Sequence, residues 1–322
     1  MEACVPALLS LEGYASPRLG RLTERAISLA EQLGQDEARV ASQLAHMGNL
    51  FVVGNISAAL EVTNELVTRV EDHAAQAGQI CVLHAGALSS AGQLREAVDW
   101  FERVEVLSER GERFLYGFRA WVMGHAWRAH PLWLLGRPAE AAEMAEAALA
   151  LAEEFDHPYT TAVALGYGAI TYRLLGESER AEELACHVRH LCDRYGFAYY
   201  GDWGRILEGR TLGGATGEAL IREGLDGLKR VNAGTRMPFW LSMLAEVLIA
   251  SGREREAARV LMKAHDWGEE HGDRWWLPEV LRLLAKVHDG REAVQLRAQA
   301  MAVARQQGSR TLELRIANDL VE

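Results

Sequence analysis

The stretch Leu134-Leu-Gly-Arg-Pro-Ala-Glu-Ala-Ala-Glu143 decides how this chain is read. It has two counterparts, Leu174-Leu-Gly-Glu-Ser-Glu-Arg-Ala-Glu-Glu183 and Ala250-Ser-Gly-Arg-Glu-Arg-Glu-Ala-Ala-Arg259. In each, an apolar helical pattern runs into a glycine, and a second helical pattern opens with an alanine five positions later. Worked outward, the same unit gives Gly54, Gly92, Gly136, Gly176, Gly214 and Gly252, spaced 38 to 44 residues apart. The matching alanines are Ala59, Ala97, Ala141, Ala181, Ala219 and Ala257. A second small position, seven before the glycine, is Ala85, Ala129, Ala169 and Ala245. This period is that of a helical repeat. Glycine closes the first helix in the left-handed conformation without a Cβ clash. The alanine lets the second helix approach the first. A single pair cannot bury its apolar face, so neighbours must stack.

The spacing predicts an all-α chain, a right-handed superhelix of about eight helical hairpins forming one domain over 1–322. Turns between repeats are expected at Gly34, Gly78, Gly111, Asp156, Gly196, Gly234, Gly272 and Gly308. Two repeats deviate. The third has a longer first helix over 112–135, in which Pro131 removes the bond to the Trp127 carbonyl and should kink the helix. The fifth holds Gly201, Gly204, Gly209, Gly213, Gly214, Gly217, Gly224 and Gly227. Each interior glycine costs about 1 kcal/mol relative to alanine, which makes this repeat the expected weak point. After Gly290 the pattern loses about two residues, because Ala293 arrives early.

Composition narrows the function. The chain has 322 residues, 49% hydrophobic and 25% charged, with a net charge of −11. Such a surface disfavours nucleic acid and anionic membranes, whose phosphates need a basic stripe. Four cysteines in this length form no disulfide framework, and no signal peptide or membrane-length apolar run is visible. A cytoplasmic protein is expected.

The segment from Gly217 to Val287 (GEALIREGLDGLKRVNAGTRMPFWLSMLAEVLIASGREREAARVLMKAHDWGEEHGDRWWLPEVLRLLAKV) resembles the C-terminal tetratricopeptide-like region of large bacterial signalling ATPases, among them adenylate-cyclase-linked ATPases and LuxR-type regulators. The tail Ala302–Leu320 (AVARQQGSRTLELRIANDL) resembles their final repeat, and the likeness extends from about Leu19 onward. It implies a helical superhelix serving as a sensor or regulatory arm, with an ATPase or DNA-binding domain of a parent protein upstream. The chain itself lacks the GxxxxGK[ST] phosphate loop, and the family's repeats transfer no catalytic residue.

One segment invites a metal reading. Ala185-Cys-His-Val-Arg-His-Leu-Cys192 packs two cysteines and two histidines into eight residues. Helical spacing puts Cys186 and His190 on one face, with His187 nearby, whereas a zinc site wants three or four ligands, from more than one segment. A solvated helix face is the favoured reading, with Ala185, Val188 and Leu191 buried. No cofactor, metal or catalytic residue is therefore expected, and the chain reads as a non-enzyme. A metal-dependent enzyme using Cys186 and His190 is the minor alternative, and a stand-alone adaptor for complex assembly the nearer one. The expected role is a regulatory scaffold of a signalling or transcription regulator, binding a protein or peptide partner or a small-molecule effector.

In tetratricopeptide-like arrays the first helix of each pair lines the concave surface. Counting back nine, six and three from each turn glycine follows one helix face. This selects Trp127, His130 and Trp133 in the third repeat and Tyr167 and Arg173 in the fourth. It adds Arg205 and Glu208 in the fifth and Met243 and Glu246 in the sixth. They are expected to be partly exposed, with Trp127, His130, Tyr167 and Arg205 converging on one groove. The alternative is that the tryptophans fill the third repeat. The lysine- and asparagine-rich pattern that clamps chaperone tails is absent.

Overall fold

A computed structural model describes residue 8, residues 12–107 and residues 119–319. Sixteen α-helices fill the described residues, with no sheet among them. They are α1 Pro17–Gln32, α2 Asp36–Val53, α3 Ile56–Val67, α4 Ala77–Ala91, α5 Leu94–Leu107, α6 Ala120–Leu134, α7 Pro138–Phe155 and α8 Pro158–Leu175. The series continues with α9 Ser178–Tyr195, α10 Ala198–Leu212, α11 Gly214–Arg230, α12 Met237–Ala250, α13 Glu254–His271, α14 Leu277–Lys286, α15 Gly290–Gln307 and α16 Arg310–Asn318. A 3₁₀ stretch, Val70–Gln76, precedes α4. From α2 onward the even-numbered helices are the first members of the pairs and the odd-numbered ones the second. The fold is all-α and solenoid-like, as the glycine period implies.

The hairpin turns follow one local rule. Gly54, Gly92, Gly136, Gly176 and Gly252 all take positive φ, between 70° and 94°. The amide after the glycine closes a Schellman bond, Gln93 N–H to Leu88 O, Arg137 to Leu132, Glu177 to Tyr172 and Arg253 to Leu248. The small residue is the first to donate a helical bond back to the cap of the second helix: Ala59 to Asn55, Ala97 to Gln93, Ala141 to Arg137, Ala181 to Glu177 and Ala257 to Arg253. All five are buried, as are Ala85, Ala129, Ala169 and Ala245.

The fifth repeat departs from the expected register. Ala219 is exposed. Gly213 alone forms the turn and caps α11, so the amide that bonds back to the cap belongs to Gly217. A Cβ on Gly217 would lie 2.2 Å from the Gly209 carbonyl oxygen, so α10 and α11 touch backbone to backbone. The glycines that suggested a weak repeat instead permit this close crossing. Ala293, buried four positions after the cap Asp289, obeys the same rule. The early arrival of that alanine is a displaced glycine rather than a broken unit.

Other expectations shift. Gly78 lies inside α4 rather than in a turn, whereas Gly34, Asp156, Gly196, Gly272 and Gly308 have positive φ at helix ends. Gly111 and 112–118 of the long third-repeat helix lie outside the described residues. Helix α6 runs through Pro131 to Leu134 without interruption.

The superhelix closes on itself. Gly234 N–H and Thr235 N–H donate to Val52 O (2.9 and 3.3 Å), and Arg274 N–H and Trp275 N–H donate to Ser90 O (2.8 and 3.0 Å). The Ser309 hydroxyl donates to Leu134 O at 3.2 Å, across 175 residues. Thus the turns of the first three hairpins are roofed by segments four to five repeats later in the chain. These bonds satisfy backbone carbonyls that a helix end would otherwise leave to water.

Candidate functional site

Closure decides what the inner wall can do. Six aromatic rings form a loop across the axis: Tyr167 to Trp203 (5.1 Å between centroids), Trp203 to Trp240 (5.0), Trp240 to Phe239 (5.0), Phe239 to Trp275 (5.3), Trp275 to His130 (6.1) and His130 back to Tyr167 (5.4). They come from α6, α8, α10, α12 and the segment before α14. Arg236, in the left-handed region at φ 62°, sends its guanidinium between Tyr167 and Trp275 at 5.0 and 4.7 Å. Cation–π attraction is strongest when the cation is desolvated, as here. The Arg236 amide donates to Asp273 Oδ2 at 2.7 Å. Burial pushes the Asp273 carboxyl up to about 7, against the opposing charge of Arg236. His130, fully buried, is held well below its ordinary pKa by burial and by Arg236, so it is neutral.

The nine residues expected on the groove separate into three groups. Trp127, His130 and Tyr167 do come together, but at 5%, 0% and 1% exposure they are core, not a partly exposed surface. The reason is the returning coil, which brings Trp275 and Arg236 over them. Arg205 and Glu208 do not join that group. Arg205 pairs with Asp193 (3.1 Å), Asp202 (3.4) and Glu223 (3.3), and Glu208 with Arg189 (2.7). With the single-residue turn at Gly213 the inner face of α10 carries the fully buried Trp203, two positions before Arg205, while Ile206 turns to Gly224 of α11. In the third group Arg173, Met243 and Glu246 line an open cavity, and the buried Trp133 stands behind it under Arg315.

That cavity, about 230 Å³, is lined by Arg173 and Leu174 of α8, Phe239, Ser242, Met243 and Glu246 of α12, Trp276, Glu279 and Arg282 of α14, and Arg315 of α16. Arg173 reaches Glu246 at 3.2 Å and Arg210 of α10 reaches it at 2.8 Å. Arg282 forms a two-pronged pair with Glu279, 2.8 Å on each arm, and a third bond to Asp319. Arg315 lies 3.6 Å from Glu279 and stacks on Trp133 at 4.8 Å. Trp276 Nε1 donates to the Ser242 hydroxyl, which donates to Phe239 O. Burial works against ionisation of Glu246, yet the Arg210 hydrogen bond and the charges of Arg210 and Arg173 hold it below the usual carboxylate range. Arg173 is pulled below its ordinary value by burial, then by repulsion from Arg210 and Arg315. Two carboxylates thus hold four guanidiniums in one place.

Arg210, Glu279, Arg282 and Arg315 escape the repeat pattern. The last three reach the site only because α14 and α16 fold back over α8. The signal available in sequence was the arginines of α14 and α16, without a pointer to their destination.

The cysteine–histidine helix is a solvated face. His187 and His190 are exposed, and Cys186 Sγ sits 3.7 Å from His190 Nδ1. Cys192, rather than Leu191, turns fully inward beside Gly201, and burial pushes its thiol up to about 12. Among the described residues no group of three His, Cys, Asp or Glu side chains is placed to hold a metal. No helix among them is long and apolar enough to cross a membrane.

With this geometry in hand, the likenesses to known proteins are informative. The chain covers 90% of itself on a signal transduction ATPase with a tetratricopeptide repeat sensor from Pyrococcus horikoshii, at TM-score 0.51 and 10% identity. It has a tetratricopeptide-like repeat fold. A Rap protein complexed with competence and sporulation factor aligns over 97% of both chains, at TM-score 0.57 and 13% identity. In sequence, an uncharacterized protein of Rhizobium meliloti is 27% identical over 216 residues, 64% of this chain. The match spans only 21% of that relative, and the chain covers 47% of the ATPase. No family model matches.

Proposed function

We propose that this chain is the sensing arm of a signalling or transcription regulator and that it works in the cytoplasm as one domain. In this reading it binds a peptide, protein segment or small ligand in the cavity between α8, α12, α14 and α16, and passes the event to other parts of a larger protein. The observation that carries the reading is the cavity itself. Beside Trp127 and Tyr167 the inner wall leaves only a small apolar cavity, about 40 Å³, between aromatic rings, whereas here it stays open and charged. The cavity also joins the fourth and sixth repeats to α14 and α16, which fold back over α8. A ligand there bridges elements that closure brings together, so binding stabilises the closed form. The sensor repeats of the signalling ATPase and the factor-bound Rap protein are consistent with such a role.

The test is a thermal-shift panel of metabolites and short peptides on the purified chain. A ligand at one hundred times its Kd adds about 2.7 kcal/mol, which is several degrees of Tm for a domain of this order. The expected outcome is a ligand that raises the Tm of the parent chain but not of Met243→Lys or Arg173→Ala. If every stabilising ligand acts equally on the variants, the cavity is not the sensing site.

A further inference from the structure

The chemistry of the cavity selects its ligand class. Arg173, Arg210, Arg282, Arg315 and Lys286 stand against Glu246, Glu279 and Asp319, an excess of two positive charges. Asp319 is shared between Arg282 (2.6 Å) and Lys286 (3.0 Å). This lies within a chain whose net charge is −11. A guanidinium carries five N–H donors. Arg173 spends one on Glu246, and Arg315 makes only a 3.6 Å ion pair and a stacking contact with Trp133. Both line the cavity, so their remaining donors border its open space. Leu174, Phe239, Met243 and Trp276 complete the lining and give it a smaller apolar part beside the charged groups. The Ser242 hydroxyl is occupied by Trp276 and Phe239. A cation would meet repulsion here, and a neutral polyol would find few free acceptors and leave the excess charge uncompensated.

Resting on the sensing reading above, we propose that this cavity binds a carboxylate carried on a small apolar body, its acid group forked by Arg173 and Arg315 and its body laid against Phe239, Met243 and Trp276. Planar guanidiniums match a carboxylate with paired charge-assisted hydrogen bonds. The walls then bury apolar ligand surface, which supplies affinity that a bare anion lacks. Two sources offer this chemistry, a free organic acid and the C-terminus of a peptide.

Isothermal titration of the purified chain at low salt separates them. The probes are 3-phenylpropionate, acetyl-Ala-Phe with a free carboxyl, the same dipeptide as its amide, and phenyl phosphate. At least one acid is expected to bind, with the amide weaker by about tenfold or more, the loss of a charge-assisted bond. Binding of the dipeptide acid alone identifies a peptide end as the source, and binding of phenylpropionate alone a free acid. Arg173→Gln and Arg315→Gln should each weaken the acids about tenfold while the helical circular dichroism is unchanged. Arg315 is the more exposed of the two, so its variant keeps the test valid if Arg173→Gln misfolds. The proposal is overturned if amide and acid bind alike, if the glutamine variants bind as the parent does, if only phenyl phosphate binds, or if no acid binds up to about 10 mM. Such a failure removes the carboxylate and leaves the sensing reading to the thermal-shift panel, whose neutral ligands do not depend on it.

Discussion

Tyr167 and Arg173 stand six residues apart on α8, about 120° apart around its axis, and they meet opposite fates. Tyr167 is 1% exposed, within a closed loop of rings around Arg236, whereas the Arg173 side chain keeps 25% of its surface at the rim of a charged cavity. What differs is the element that returns over each residue: the segment carrying Arg236 and Trp275 over Tyr167, and α14 and α16 over Arg173. In a closed superhelix, exposure of the inner face is a property of contacts between coils, not of the repeat.

The first way to break this comparison is to remove a ring. Trp203 is fully buried and touches Tyr167 and Trp240. Trp203→Ala should cost about 3–5 kcal/mol, as large-to-small core changes do. Arg315→Ala at the open cavity should cost under about 1 kcal/mol, since its ion pair is half-solvated. Urea unfolding of both variants checks the contrast. Equal losses would mean that the two regions are packed alike.

The second way is to titrate the sealed region. Asp273 has its carboxyl raised to about 7 by burial, against about 3.9 for an unfolded aspartate. Between these values the native state holds a proton that the unfolded state has released. The stability from Asp273 is therefore complete below about pH 4 and falls as pH rises to about 7, by up to ~4 kcal/mol. Other carboxylates, such as Glu246, are held low and act in the opposite sense. The informative quantity is therefore the difference between the parent and Asp273→Asn. Unfolding at pH 5 and pH 8 should show the parent losing ground to the variant. A constant difference would place Asp273 as a permanently charged partner of Arg236.

Much of this architecture is written in the chain. The glycine–alanine unit locates five hairpin turns and the buried alanines, because a left-handed cap and a close helix approach are local demands met by local residues. The inner face was legible in the third, fourth and sixth repeats for the same reason. Two things were not. The roof over Trp127, His130 and Tyr167 depends on hydrogen bonds such as Trp275 N–H to Ser90 O, far apart in the chain, and no period of about forty residues encodes them. The fifth repeat hid its register behind a pair of glycines, Gly213 and Gly214, of which the first is the turn.

That register offers the smallest and sharpest test, because it decides which residue of α10 belongs to the sealed loop. Counting from Gly214 puts Arg205 on the inner wall and Ala219 at the helix crossing. The structure puts Trp203 and Gly217 there. A methyl group at Gly217 would meet the Gly209 carbonyl oxygen at 2.2 Å, a backbone contact that no rotamer change relieves. Gly217→Ala should therefore cost about 1–3 kcal/mol despite the gain in helix propensity, as overpacking does. Ala219 is exposed, so Ala219→Ser should stay within about 0.5 kcal/mol. Thermal unfolding of the pair ranks the two positions directly. If Ala219→Ser is the more damaging, α11 is rotated from the observed register, Trp203 leaves the inner wall, and the loop of rings that separates the sealed half of the superhelix from the open one is broken at α10.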